Sequence, residues 1–215
     1  MALAFDNFTH GNNSSISHQV ISSSNTILLA FIQGRPGETI TGATYNGVAM
    51  TQIDNVAVSS GFSFATFYLL SPASGTHTLS VSGTAGTGAG CAVSYTGAKQ
   101  SGQPDAHVAA EHTQTGAGND GHTVTVVAPN SWIVTSHFSF NADPDAVFNG
   151  TERGVVGDLD AVDSNGPLAA GSQSIGWHWP STDKHAYGII SIAPFLENPT
   201  KSIKINQAVN RSYTY

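Results

Sequence analysis

Thr44-Tyr-Asn-Gly-Val-Ala-Met-Thr-Gln-Ile53 decides the fold class. Asn46-Gly47 is the strongest short hairpin signal, because a type I′ turn needs positive φ at both central residues and these two residue types tolerate it. The flanking residues alternate between apolar and polar, which is the period of a half-buried strand. The same grammar recurs in Phe67-Tyr-Leu-Leu-Ser-Pro-Ala-Ser-Gly-Thr-His-Thr-Leu-Ser-Val81, where Pro72 fixes φ and Gly75 supplies a permissive backbone. It recurs again in Ala92-Val-Ser-Tyr-Thr-Gly-Ala98. None of these segments carries a catalytic constellation.

Working outward, alternation covers residues 16–21, 26–32, 40–45, 62–70, 76–81, 92–95, 122–127, 132–140, 172–179 and 187–192. Roughly a dozen short strands predict an all-β protein, a two-sheet antiparallel sandwich. Residues 105–112 read as one turn of helix or a further strand, and residues 83–90 as a glycine-rich hairpin loop. No internal repeat of clear period emerges. Residues 1–194 therefore read as one sandwich domain. Residues 195–215 form a C-terminal tail in which Lys201-Ser-Ile-Lys-Ile-Asn206 resumes strand alternation. Such a tail completes its own sheet or adds to the exposed edge of a neighbouring molecule. Its apolar residues Phe195, Ile203, Ile205, Tyr213 and Tyr215 are the candidate assembly contacts.

Composition narrows the partners. Only 10% of the 215 residues are charged and the net charge is -7, so there is no basic footprint for a phosphate backbone and nucleic acid is excluded as an expected ligand. No stretch approaches the roughly 20 apolar residues of a membrane helix. The first residues lack the basic and apolar regions of a signal peptide, so folding in a cytoplasm is expected. Cys91 is the only cysteine and lies in an apolar run, where it reads as a small buried hydrophobe.

Asp158, Asp160 and Asp163 are close enough in sequence to offer several oxygens to a hard cation, which makes calcium the candidate cofactor; the alternative is a solvated acidic loop. The spacing is not that of an EF-hand. In a strand, Trp177 and Trp179 share one face and His178 takes the other. The two indoles, with Tyr187, make either a platform for a sugar ring or a wall of the core. No His-x-His or His-Glu-x-x-His spacing supports zinc, and His112 and His122, beside glycines, read as loop histidines. A Gly-x-Ser-x-Gly elbow, a phosphate-binding glycine loop and a local carboxylate pair are all missing, so catalysis is not expected.

The segments quoted above, with Trp132-Ile-Val134 and Tyr187-Gly-Ile-Ile-Ser191, look like a β-sandwich module of tailed-phage virion proteins and bacterial surface proteins, itself similar to concanavalin-type jelly rolls. The resemblance spans residues 16–194. It implies a jelly-roll sandwich serving as a capsid decoration, head-fibre or tail-tip component, assembled in the host cytoplasm. Its implied partners are copies of itself and other virion proteins such as the major capsid protein. It carries no catalytic motif. The rival expectation is a lectin-like carbohydrate-binding module, calcium-assisted, using the Trp177, Trp179 and Tyr187 surface.

Overall fold

The computed structural model describes residues 2–11, 15–22, 24–84, 88–154 and 159–196. The first half of the chain forms β1 (Ala4–Gly11), β2 (Ser15–Val20), β3 (Ile27–Gly34), β4 (Ile40–Tyr45), β5 (Val48–Ala49), β6 (Thr51–Ala57), β7 (Ser63–Leu70), β8 (Gly75–Gly83) and β9 (Gly90–Thr96). The second half forms β10 (Ala106–Gln114), β11 (Gly118–Val126), β12 (Trp132–Ser139), β13 (Ala146–Phe148), β14 (Thr151–Gly154), β15 (Ala161–Asp163), β16 (Gly171–Trp179) and β17 (Asp183–Ile192). No helix among the described residues is long and apolar enough to cross a membrane. Asn46 and Gly47 both take positive φ, 50° and 75°, and close the β4–β5 hairpin that the sequence announces.

The strands make four antiparallel sheets, stacked as four layers. Layer 1 runs β2-β8-β4-β5, layer 2 β1-β9-β3-β7-β6, layer 3 β10-β17-β12-β15-β14, and layer 4 β11-β16-β13. The layering follows from which apolar faces meet. Leu28, Ala30 and Ile32 of β3 pack with Ile16, Ile40, Tyr45 and Leu79 of layer 1. Leu29 and Phe31, on the other face of β3, pack with Val134, Ala186 and Ile190 of layer 3. Ile133 and Ile189 then turn from layer 3 toward Val124, Ile175, Trp177 and Trp179 of layer 4. The all-β sandwich expected from the sequence is therefore present twice, back to back.

Those two sandwiches share one topology. Substituting β10 to β17, in order, for β1, β2, β3, β4, β6, β7, β8 and β9 turns layer 2 into layer 3 and β2-β8-β4 into layer 4. In both halves the chain passes back and forth between an inner and an outer sheet. Turn chemistry repeats as well. Tyr45-Asn46-Gly47 is echoed by Phe148-Asn149-Gly150, and Asn46 and Asn149 have φ of 50° and 55°. Asn25 and Asn130, which precede β3 and β12, have φ of 51° and 64°, and Gly75 and Gly171, which open β8 and β16, have φ of 101° and 120°. The three offsets are 105, 103 and 96 residues (130 minus 25, 149 minus 46, 171 minus 75), and this drift is why no fixed period shows in the sequence.

Layers 2 and 3 are in close contact at Gly188 on β17. A Cβ there would fall 2.6 Å from Thr66 Cγ2 and 3.2 Å from Phe64 Cε1, both on β7 of the facing sheet. Overpacking a tight core contact costs about 1–3 kcal/mol. Gly188→Val is accordingly expected to lower the unfolding free energy by about that much in urea titration; an unchanged midpoint would show that the two sandwiches are not in close contact there.

Candidate functional site

Asp158 lies outside the described residues. Asp160 and Asp163 are both buried, 3% and 0% exposed. Asp163 already faces a cation: its Oδ2 accepts Arg153 Nε at 2.7 Å, and its Oδ1 accepts Arg153 Nη2 at 2.9 Å. Oδ2 also accepts the Tyr95 hydroxyl at 2.8 Å, and Oδ1 the Asn165 backbone N–H at 2.9 Å. Arg153 in turn sits 4.5 Å over the Phe5 ring. This group joins β1 and β9 of layer 2 to β14 and β15 of layer 3, and burial together with the Asp163 charge pushes the Tyr95 hydroxyl well above its ordinary value. The guanidinium occupies the place beside Asp163 that the calcium reading gave to an ion.

The tryptophan platform also needs correction. Trp177 and Trp179 share one face of β16, as alternation requires, but that face is the inner one and they are 1% and 0% exposed. Sugar stacking needs an open indole face, and theirs are covered by histidines: His137 lies 4.2 Å from Trp177 and 5.1 Å from Trp179, and His185 stacks on Trp179 at 4.8 Å. Tyr187, half-buried, stacks on His122 at 3.7 Å and 12°. His178 points to the outer face, where its Nδ1 meets Asp145 Oδ1 at 2.6 Å. Of the assembly residues, Phe195 is described and donates its backbone N–H to Gly97 O at 2.7 Å; Ile203, Ile205, Tyr213 and Tyr215 lie outside the described residues.

The polar chemistry is concentrated between layers 3 and 4. His112 and His122 are strand residues of β10 and β11, not loop residues. Residues 106–114 pair with β17 throughout, which sets His112 directly opposite His185. Asp120 and His122 alternate on the inner face of β11, and Asp183, His185 and Tyr187 on the inner face of β17. The result is a convergent cluster. His112 Nδ1 lies 2.6 Å from Asp120 Oδ2, and His185 Nε2 lies 3.1 Å from the same oxygen. His122 Nε2 faces His185 Nε2 at 3.3 Å.

Hydrogen bonding fixes the protons. Thr135 donates its hydroxyl proton to Gly188 O at 3.0 Å, so at 2.9 Å it can only accept from His122 Nδ1. The proton of a neutral His122 is thereby held on Nδ1, and its Nε2 lone pair faces the cluster. Burial, reinforced by His185, holds His122 well below the usual imidazole range, and burial likewise takes His137 down to about 3. Burial pushes the Asp120 carboxyl up, but hydrogen bonds from His185 and His112 outweigh it and bring it to about 2. Asp183 accepts the Asn141 and Ala142 backbone N–H groups on Oδ1, while its Oδ2 stands 3.5 Å from His185 Nδ1, and neither of those facing atoms has a hydrogen-bond partner.

The corresponding place in the first sandwich is also polar, with different chemistry. His18 on β2 meets Thr9 Oγ1 of β1 at 3.1 Å and Ser94 Oγ of β9 at 3.2 Å, and Ser94 donates to Asp6 Oδ2 at 2.7 Å. Burial lowers His18 to about 4 against the opposing charge of Asp6. No protein family, curated protein or solved structure matches this chain.

Two predictions follow from these buried polar groups. Removing one partner of a buried ion pair strands the other charge, so Arg153→Met is expected to cost about 3–5 kcal/mol of unfolding free energy at pH 7. An unchanged value would mean that Asp163 is not held by Arg153. His18 and His137 titrate near 6.5 when unfolded but at about 4 and about 3 when folded. Below pH 6.5 the unfolded chain takes up protons that the folded chain does not, so stability is full above 6.5 and falls as pH drops toward 4. The slope is about 1.4 kcal/mol per pH unit for each histidine. Urea titrations between pH 7.5 and pH 4.5 check it, and a flat profile would contradict burial of these rings.

Proposed function

We propose that the protein is a structural subunit of a virion, a capsid decoration or fibre protein, that assembles through its sheet edges and the segment beginning at Phe195. The observation that carries this reading is how the chain leaves its core. Pro194 bridges to Ala98, and Leu196 then emerges 70% exposed between two hollows. One, of about 410 Å³, is lined by Lys99, Gln100, Asp105, Ala193 and Phe195. The other, of about 280 Å³, is lined by Leu3, Trp132, Pro167, Pro194 and Leu196. Exposed leucine beside an apolar hollow is surface that a contact would cover. We assign that contact to the terminal segment of a second copy, because the alternating residues 201–206 follow directly in the chain.

The turn motifs that resemble phage virion modules support the same reading, since they define a rigid winding rather than a reactive site. A repeated sandwich offering edges, with a tail whose sequence alternates over residues 201–206, suits a symmetric lattice, where weak contacts add. The carbohydrate-binding alternative loses its named surface, because Trp177 and Trp179 are walls of the core.

Light scattering on the full chain and on a chain ending at Pro194 tests the proposal. A defined oligomer that falls to monomer on truncation is expected. A monomeric full chain, or the same oligomer for both, would overturn the role given to the tail.

A further inference from the structure

We propose that His112, Asp120 and His185 hold a divalent ion of the zinc class between layers 3 and 4, with the Nε2 of His122 turned toward His185 beside them, as a structural staple of the second sandwich. The first support is convergence. His112 Nδ1, Asp120 Oδ2 and His185 Nε2 all lie within 4.8 Å of one another, on three different strands. With metal–ligand bonds of about 2.0–2.1 Å, a tetrahedral site sets its ligand atoms ~3.3 Å apart. The His185–Asp120 separation, 3.1 Å, is already close to that. His112 is at hydrogen-bond distance from Asp120, on the edge strand β10 with its side chain 47% exposed, so a small outward shift lengthens that edge and gives the ion a way in.

The second support is what surrounds the ligands. His122 presents a lone pair at Nε2 because Thr135 holds its other nitrogen. The single proton on His185 Nε2 has two acceptors in reach, Asp120 Oδ2 at 3.1 Å and His122 Nε2 at 3.3 Å, so the two compete for it. His185 is fully buried and its Nδ1 has no hydrogen-bond partner, yet it faces Asp183 Oδ2, which has none either. Coordination at Nε2 would place the His185 proton on Nδ1, toward Asp183, giving the carboxylate–histidine–metal arrangement that orients metal-bound imidazoles. Charges also close: a divalent ion is balanced by Asp120 in contact and Asp183 behind it. Imidazole-rich donors select zinc-type ions over calcium, which takes oxygens.

The first sandwich is a built-in comparison. At the matching strands it sets one histidine, His18, among the hydroxyls of Thr9 and Ser94, which complete hydrogen bonds without a cation. The site is therefore specific to the second repeat, and His18 serves as the control.

The test uses the full chain, freed of metal by chelation and titrated separately with zinc and with cobalt(II). One equivalent should bind, cobalt should develop the visible absorption of a tetrahedral site, and the thermal midpoint should rise. His112→Ala removes an exposed ligand, so it should weaken zinc binding at least tenfold and remove most of the zinc-induced rise in the midpoint. Asp183→Asn, which keeps the backbone contacts but disturbs the His185 partner, should weaken binding by about 10–100-fold. His18→Gln should leave binding alone. Failure of the full chain to bind either ion, or binding that His112→Ala leaves intact, would overturn the proposal.

Discussion

The structure depends on one contact, the apolar seam between layers 2 and 3. Each of these inner sheets is buried on both faces: β3 and β12 are buried along their whole length. A lone sandwich would leave one such face in water. Leu29, Phe31 and Phe64 on one side and Val134, Ile190 and Ile192 on the other remove it by packing together. Burial is worth about 25 cal/mol per Å² of apolar surface, so the seam makes the two repeats one folded body. Gly188 lets the sheets approach, and the Arg153–Asp163–Tyr95 group locks them with polar contacts that are satisfied only when both repeats are present.

Polar residues are thus sorted by layer. The central seam carries a fully paired ion group. The outer seams each carry a histidine site in corresponding positions, resolved by hydroxyls in the first repeat and by carboxylates and further imidazoles in the second. Buried polar groups without partners are costly, and in the second repeat they gather around one small volume. This arrangement gives the molecule a rigid interior and leaves edges, hollows and the emerging C-terminal segment as the places where a partner can act.

Much of the architecture was legible in the sequence. Asn46-Gly47, Pro72 with Gly75, and strict alternation are local devices, and local devices act wherever they stand. Cys91 is buried as its apolar neighbours suggested, and Trp177 and Trp179 do share a face. The duplication was hidden because equivalent turns drift in spacing. The four layers were missed because reading Ile27-Leu-Leu-Ala-Phe-Ile32 as alternating overlooks that its six consecutive apolar residues mark a strand buried on both faces. The histidine cluster was missed because a search for His-x-His overlooks Asp-x-His, which occurs at Asp120 and again at Asp183. Its third strand, β10, joins only through register with β17, and register across 73 residues (185 minus 112) is a property of the fold, not of any local motif.

The most direct measurement is native-state hydrogen exchange on the backbone amides of β3 and β12, the doubly buried strands at the centre of each repeat. If the seam makes one body, their slowest amides exchange only by global unfolding and report the same opening free energy, with the same dependence on denaturant. Two separate free energies, with β12 opening while β3 stays protected or the reverse, would contradict that account and show two sandwiches that merely touch.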